Sequence, residues 1–176
     1  MSQWSVIIPA VLLACSTTSH ADDVGKWLAT IAKVGPDGVG SKSARVAADQ
    51  LSNQSVAVLP RLLEAMDTPN VVAANWYRTV FDDVVNRELE QAAPQLPLAV
   101  FRDFVRDTDR QGRLRRLSLS FLDRFEPGFR PSWLPMQLSD PEFRDEAVAI
   151  ALSAAHKARQ DEQPIAARKF FQDAFQ

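Results

Sequence analysis

Ser139-Asp140-Pro141-Glu142-Phe143-Arg144-Asp145-Glu146-Ala147-Val148-Ala149-Ile150-Ala151-Leu152 holds both a helix start and a helix face. Ser139 or Asp140 offers a side-chain oxygen to the backbone N–H groups that the first helical turn leaves unpaired. Pro141 fits that first turn because its missing N–H costs nothing there. Glu142 complements the positive end of the helix dipole. Small and aliphatic residues then follow at the helical period, predicting a helix from Glu142 to about Arg159.

Read outward from this start, apolar residues recur every three or four positions from Asp22 to the last residues. The segments are short and come in pairs, each pair broken by a turn carrying Asp, Pro or Gly. The first pair is Val24 to Val34 and Ser43 to Leu51, around Gly35-Pro36-Asp37-Gly38. The second is Val56 to Met66 and Val71 to about Ala92, around Asp67-Thr68-Pro69-Asn70. Leu98 to Val105 and Arg113 to Phe125 make the third, and a short Trp133 to Leu138 piece precedes the quoted helix in the fourth. A last helix, Ile165 to Phe175, follows Pro164 without a partner of its own. The turn aspartates Asp37, Asp67, Asp109 and Asp140 stand 30, 42 and 31 residues apart. Repetition on that scale marks a helical array, since a lone pair of ten-residue helices cannot bury its apolar stripe.

These turns carry a family resemblance. The stretch from Asp140 to Leu152 resembles a HEAT repeat, with an inter-helix Asp-Pro and a second helix of Arg144 followed by alternating alanine and aliphatic residues. Leu59-Pro60-Arg61-Leu62-Leu63 with Asp67-Thr68-Pro69 is similar to the first helix and turn of another. Looser matches are Ser43-Ala44-Arg45-Val46-Ala47-Ala48 and Gly112-Arg113-Leu114-Arg115-Arg116-Leu117. The resemblance covers residues 24–176. It implies an all-α, right-handed α-solenoid of about four antiparallel hairpins plus one C-terminal helix, in the armadillo-like class. It also implies a non-catalytic module that binds another protein. Relatives of the exported bacterial type raise the expectation that this is the N-terminal part of a longer protein, such as an enzyme or electron-transfer protein.

Residues 1–21 read as a signal peptide. They contain no Asp, Glu, Lys or Arg, hold the apolar run Val6 to Ala14, and end on Ser19-His20-Ala21, which suits cleavage after Ala21. The run is shorter than the roughly 20 residues that span a bilayer. Leu12-Leu13-Ala14-Cys15 also resembles a lipobox, so lipidation of Cys15 stays open, and with it a membrane-attached structural role. Either route gives a periplasmic or secreted protein whose folded part, residues 22–176, lacks a thiol.

The residue inventory argues against most chemistry. A net charge of −2 and a pI near 5.7 do not suit a nucleic-acid binder, which carries a basic surplus. With one cysteine and two histidines, His20 and His156, no metal or cofactor is expected. The loop Gly35 to Ser43 has glycines, Lys42 and Ser43, but Ser41 breaks the contiguous Gly-Lys-Ser of a phosphate-binding loop. An enzyme using His156 or acidic residues between helices is the competing class.

Partner-binding candidates are few. On Val71 to Ala92, Trp76, Val80 and Val84 share a face, leaving Tyr77 and Arg78 to line an exposed groove; Trp76 is counted with them as a partner-binding residue. Arg113 and Arg116 belong to the basic cluster Arg106 to Arg116, where local pairing with Asp103, Asp107, Asp109 and Asp123 is expected. Phe171 and Phe175 give the last helix an apolar end.

Overall fold

The computed structural model describes residues 18–175, with side chains from Asp23 to Phe175. The described residues form nine α-helices and no strand. They are α1 (Thr18–Ile31), α2 (Ser41–Ser52), α3 (Leu59–Met66), α4 (Val71–Leu89), α5 (Leu98–Arg106), α6 (Gly112–Phe125), α7 (Phe129–Trp133), α8 (Arg144–Gln160) and α9 (Pro164–Ala174), joined in part by short 3-10 turns. Residues 1–17, with the apolar run and Cys15, lie outside the described residues. At Ala21 only the backbone is described, within α1.

Helices that are consecutive in sequence pack together: α1 on α2, α3 on α4, α5 on α6 and α8 on α9. Contact between α2 and α4 links the first two pairs. The fourth pair departs from the expected pattern. Its first member is α7 followed by the 3-10 turn Leu134–Met136, because Pro131 and Pro135 interrupt the backbone hydrogen-bond ladder. The last helix was expected to lack a partner, yet it lies along α8. There the interface is built from small residues, with Ala147, Ala151, Ala155 and Ala158 of α8 and Ala167 and Ala174 of α9 all buried.

The larger side chains pack in a core that runs from Val24 to Phe143. Phe81 of α4 and Phe101 of α5 meet within it, and the partly buried Phe121 of α6 packs against both. Phe81 is edge-on to both others at 5.9 Å, and Phe101 and Phe121 lie 4.3 Å apart. Further along, Trp133 stacks on Phe129 and meets the edge of Phe143.

Helix ends expose carbonyls that need donors, and long side chains from neighbouring elements supply them. Asn70 accepts from Ala73 N to cap α4, while its amide donates to Val34 O at 2.7 Å and Ala32 O at 3.2 Å, just past α1. Arg87 of α4 donates to Ser52 O and Gln54 O at the end of α2. Arg113 of α6 donates to Thr68 O at 2.6 Å and Met66 O at 3.2 Å, at the end of α3.

The most buried clamp joins three elements. Arg115 of α6 is 1% exposed and donates through Nε to Val105 O near the end of α5, at 2.9 Å. Both its terminal nitrogens donate to the Asp140 carboxylate, one at 3.0 Å. Asp140 Oδ1 in turn accepts from Glu142 N at 2.9 Å and Phe143 N at 3.2 Å, opening the turn that leads into α8. The Arg115 guanidinium also lies over the Phe143 ring, 4.9 Å from its centre. The helix expected from Glu142 starts instead at Arg144, with Phe143 at its N-cap and no side-chain cap, so Asp140 closes the turn before α8 and neutralises a buried cation.

Burial pushes the Asp140 carboxyl up, but the Arg115 guanidinium and the two backbone N–H donors outweigh burial and hold it below its ordinary 3.8. The native state thus binds fewer protons than the unfolded chain near that pH. Stability from this group is complete above pH 3.8 and is lost as pH falls through the lower folded value. Asp140→Ala is expected to cost about 3–5 kcal/mol in urea unfolding, because it strands a buried guanidinium. The variant also loses part of the wild type's acid sensitivity below that pH. A cost under about 1 kcal/mol, the range of exposed pairs, would show that the pair carries little.

Candidate functional site

The residues expected to bind a partner do not all face outward. Tyr77 is buried, 2% exposed, and its hydroxyl donates to Leu28 O of α1 at 2.7 Å. The buried stripe of α4 runs through Ala73, Tyr77, Val80, Phe81, Val84 and Val85. That phase turns Trp76 to the edge of the core, half-buried, instead of Tyr77. The reason is tertiary: α1 offers a carbonyl to the phenol, so the amphipathic ring buries with its hydroxyl satisfied.

The basic cluster also pairs differently from the expectation. Only Arg110 bonds locally, to Asp107, and it also reaches Asp67 at 3.5 Å. Arg116 spans from α6 to Glu142 and to Glu146 of α8, which hold its guanidinium firmly protonated. Arg106 lies over the Phe129 ring. A Cβ at position 112 would collide with the Glu142 carboxylate, so Gly112 lets this network approach the start of α6. Arg116 is thereby committed to the fold.

Arg78 and Arg113 are brought together, and Trp76 lines a separate hollow beside theirs. Arg78, Arg113 and Asn75 line a hollow of about 150 Å3 whose walls are completed by Met66, Ala74, Leu114 and Leu117. Asn75 also lines a neighbouring hollow of about 290 Å3 with Val72, Trp76 and Thr79. The smaller hollow lies where α4 meets α3 and α6, the larger is lined by α4 alone, and they share Asn75. Arg78 Nε donates to Asp82 at 2.8–2.9 Å, one turn away. Arg113 donates to carbonyls, and among the described residues no carboxylate pairs with it.

A second open face lies on α9. Arg159, Pro164, Ala167, Arg168, Phe171 and Phe175 line a groove of about 900 Å3. Phe175 is 80% exposed and Ile165, at the other end of the helix, 87%. Phe171 is half-buried, edge-on to the His156 ring at 5.5 Å. His156 itself stands exposed on α8.

Among the described residues, no group of three or more His, Cys, Asp or Glu is placed to hold a metal ion. No helix there is long and apolar enough to cross a membrane. Comparison with models of protein families, with curated proteins and with solved structures finds no match.

What sequence reasoning missed is the structural use of Arg115 and Arg87. A signal existed for the first: Arg115 occupies a stripe position beside Leu114, Leu119 and Leu122, where an unpaired guanidinium would be costly.

The chain has a single tyrosine, so its titration reads Tyr77 alone. Burial raises the phenol above its ordinary 10.0. Stability from the buried phenol is present below pH 10 and falls as pH rises through the folded value. Ultraviolet titration of the folded protein is expected to show ionisation only above pH 10. A tyrosine ionising at or below that value would place the ring in solvent.

Proposed function

We propose that this protein is a non-catalytic binding module, in which HEAT-like helix pairs stack as a right-handed solenoid and present a surface to another protein. The observation that carries the reading is the convergence of Trp76, Arg78 and Arg113 on the paired hollows of α4. Aromatic and arginine side chains in partly desolvated recesses are the residue types that dominate binding energy at protein interfaces. The other prominent charged groups, Arg115, Arg116, Asp140, Glu142 and Glu146, bond to one another across elements. The exposed apolar end of α9 supplies a second contact surface of the same kind. Export to the periplasm or exterior, by cleavage after Ala21 or lipidation of Cys15, is part of this reading and rests on the charge-free N-terminal segment. The alternative, an interaction domain of a larger exported enzyme or electron-transfer protein, rests on the HEAT resemblance alone.

A photo-crosslinking residue placed at position 76 or 175 in living cells tests it. The expected outcome is a discrete protein adduct recovered from the envelope fraction, absent when the same residue replaces exposed Lys33 in the turn after α1. Adducts that are the same at all three positions, or that appear only in the cytosol, would contradict the reading.

A further inference from the structure

We infer that the paired hollows on α4 hold a short extended peptide segment that carries a carboxylate and an apolar side chain on one face. The inference rests on the binding-module reading and specifies its partner's chemistry. The smaller hollow is lined by two guanidiniums and the Asn75 amide, with no acidic residue among its lining. Its floor of Met66, Leu114 and Leu117 is apolar, so a charge placed there is shielded from water and attracted more strongly. Each guanidinium keeps donors in reserve. Arg78 spends Nε on Asp82, and Arg113 spends one terminal nitrogen on two carbonyls, out of the five N–H donors an arginine has. Asp82 offsets one of the two charges, which leaves one cation to be matched by the visitor.

The larger hollow has the opposite character. Val72, Trp76 and Thr79 give it a mostly apolar wall, and it opens beside the first at Asn75. A space of about 150 Å3 already suits a benzene-sized group, so each hollow accepts one side chain. Because they adjoin along one helix, side chains on one face of a single extended segment fill both. The Asn75 amide between them is placed to bond the visiting backbone.

Selection of a random twelve-residue peptide library on the folded full chain reads this directly. Enriched peptides are expected to share Asp or Glu two positions from an aromatic or aliphatic residue, the spacing that puts both side chains on one face of an extended segment. Synthetic copies should bind Arg78→Gln at least tenfold more weakly, and their Gln-for-Glu or Asn-for-Asp versions should lose a similar factor. Arg45→Gln, at an exposed arginine of α2 lining neither hollow, should bind as the wild type does. Arg78 is exposed, so its variant is expected to fold, and far-ultraviolet circular dichroism checks that it does. Enriched peptides that lack acidic residues, or that ignore Arg78→Gln, overturn this inference while leaving a binding module intact. Failure to enrich any peptide overturns both.

Discussion

A guanidinium buried to 1% exposure has to be matched on every side, and the placement of Arg115 organises the middle of the molecule around that need. Its partners come from three places: a carbonyl near the end of α5, the carboxylate of Asp140, and the ring of Phe143. Asp140 is equally constrained, since it accepts both the guanidinium and the N–H groups that open the turn into α8. An isolated buried ion pair is poor evidence of stability, because desolvation offsets attraction. Here the same atoms also satisfy helix ends that would otherwise be unpaired, so the pair fixes where α5, α6 and α8 sit relative to each other.

The same logic recurs with different residues along the chain. Asn70, Arg87 and Arg113 each reach the carbonyl end of a neighbouring helix, and each does so from a position on or before α4 or α6. Helices as short as α3 and α5 gain little from intrinsic propensity, so packing and shared caps hold them. A consequence is that α4 and α6 turn their most committed side chains toward adjacent helices. What remains on the outer side of α4 is Trp76, Asn75 and the spare donors of Arg78 and Arg113. The proposed binding surface is thus the part of the arginine network that folding leaves unused.

The helices and their breaks were legible in the sequence because both depend on local chemistry. Periodicity at three and four residues located most α-helices to within a few positions; the exceptions are α1, which starts at Thr18 and not at Val24, and the first half of the fourth pair, where α7 ends at Trp133. Asp140 was legible as a turn residue, but the helix it was expected to cap begins two residues later, at Arg144. Pairing across elements was not legible. Local spacing suggested carboxylates three or four residues from Arg115 and Arg116, whereas their partners lie 25 to 30 residues away, at Asp140, Glu142 and Glu146. Tyr77 was misassigned because α4 is apolar over a wide arc, and only a carbonyl on α1 decides which aromatic turns inward. The site was therefore half readable: its residue types were visible, but which of them the fold consumes was not.

Hydrogen exchange read by mass spectrometry on wild type and Asp140→Asn tests most directly whether this one clamp couples three elements. Asparagine keeps a capping oxygen but removes the charge. The account predicts loss of protection in α5, α6 and the start of α8 together, with α1 to α3 close to wild type. Loss confined to the turn at 140–143 would contradict it, since Asp140 would then be a local cap and nothing more.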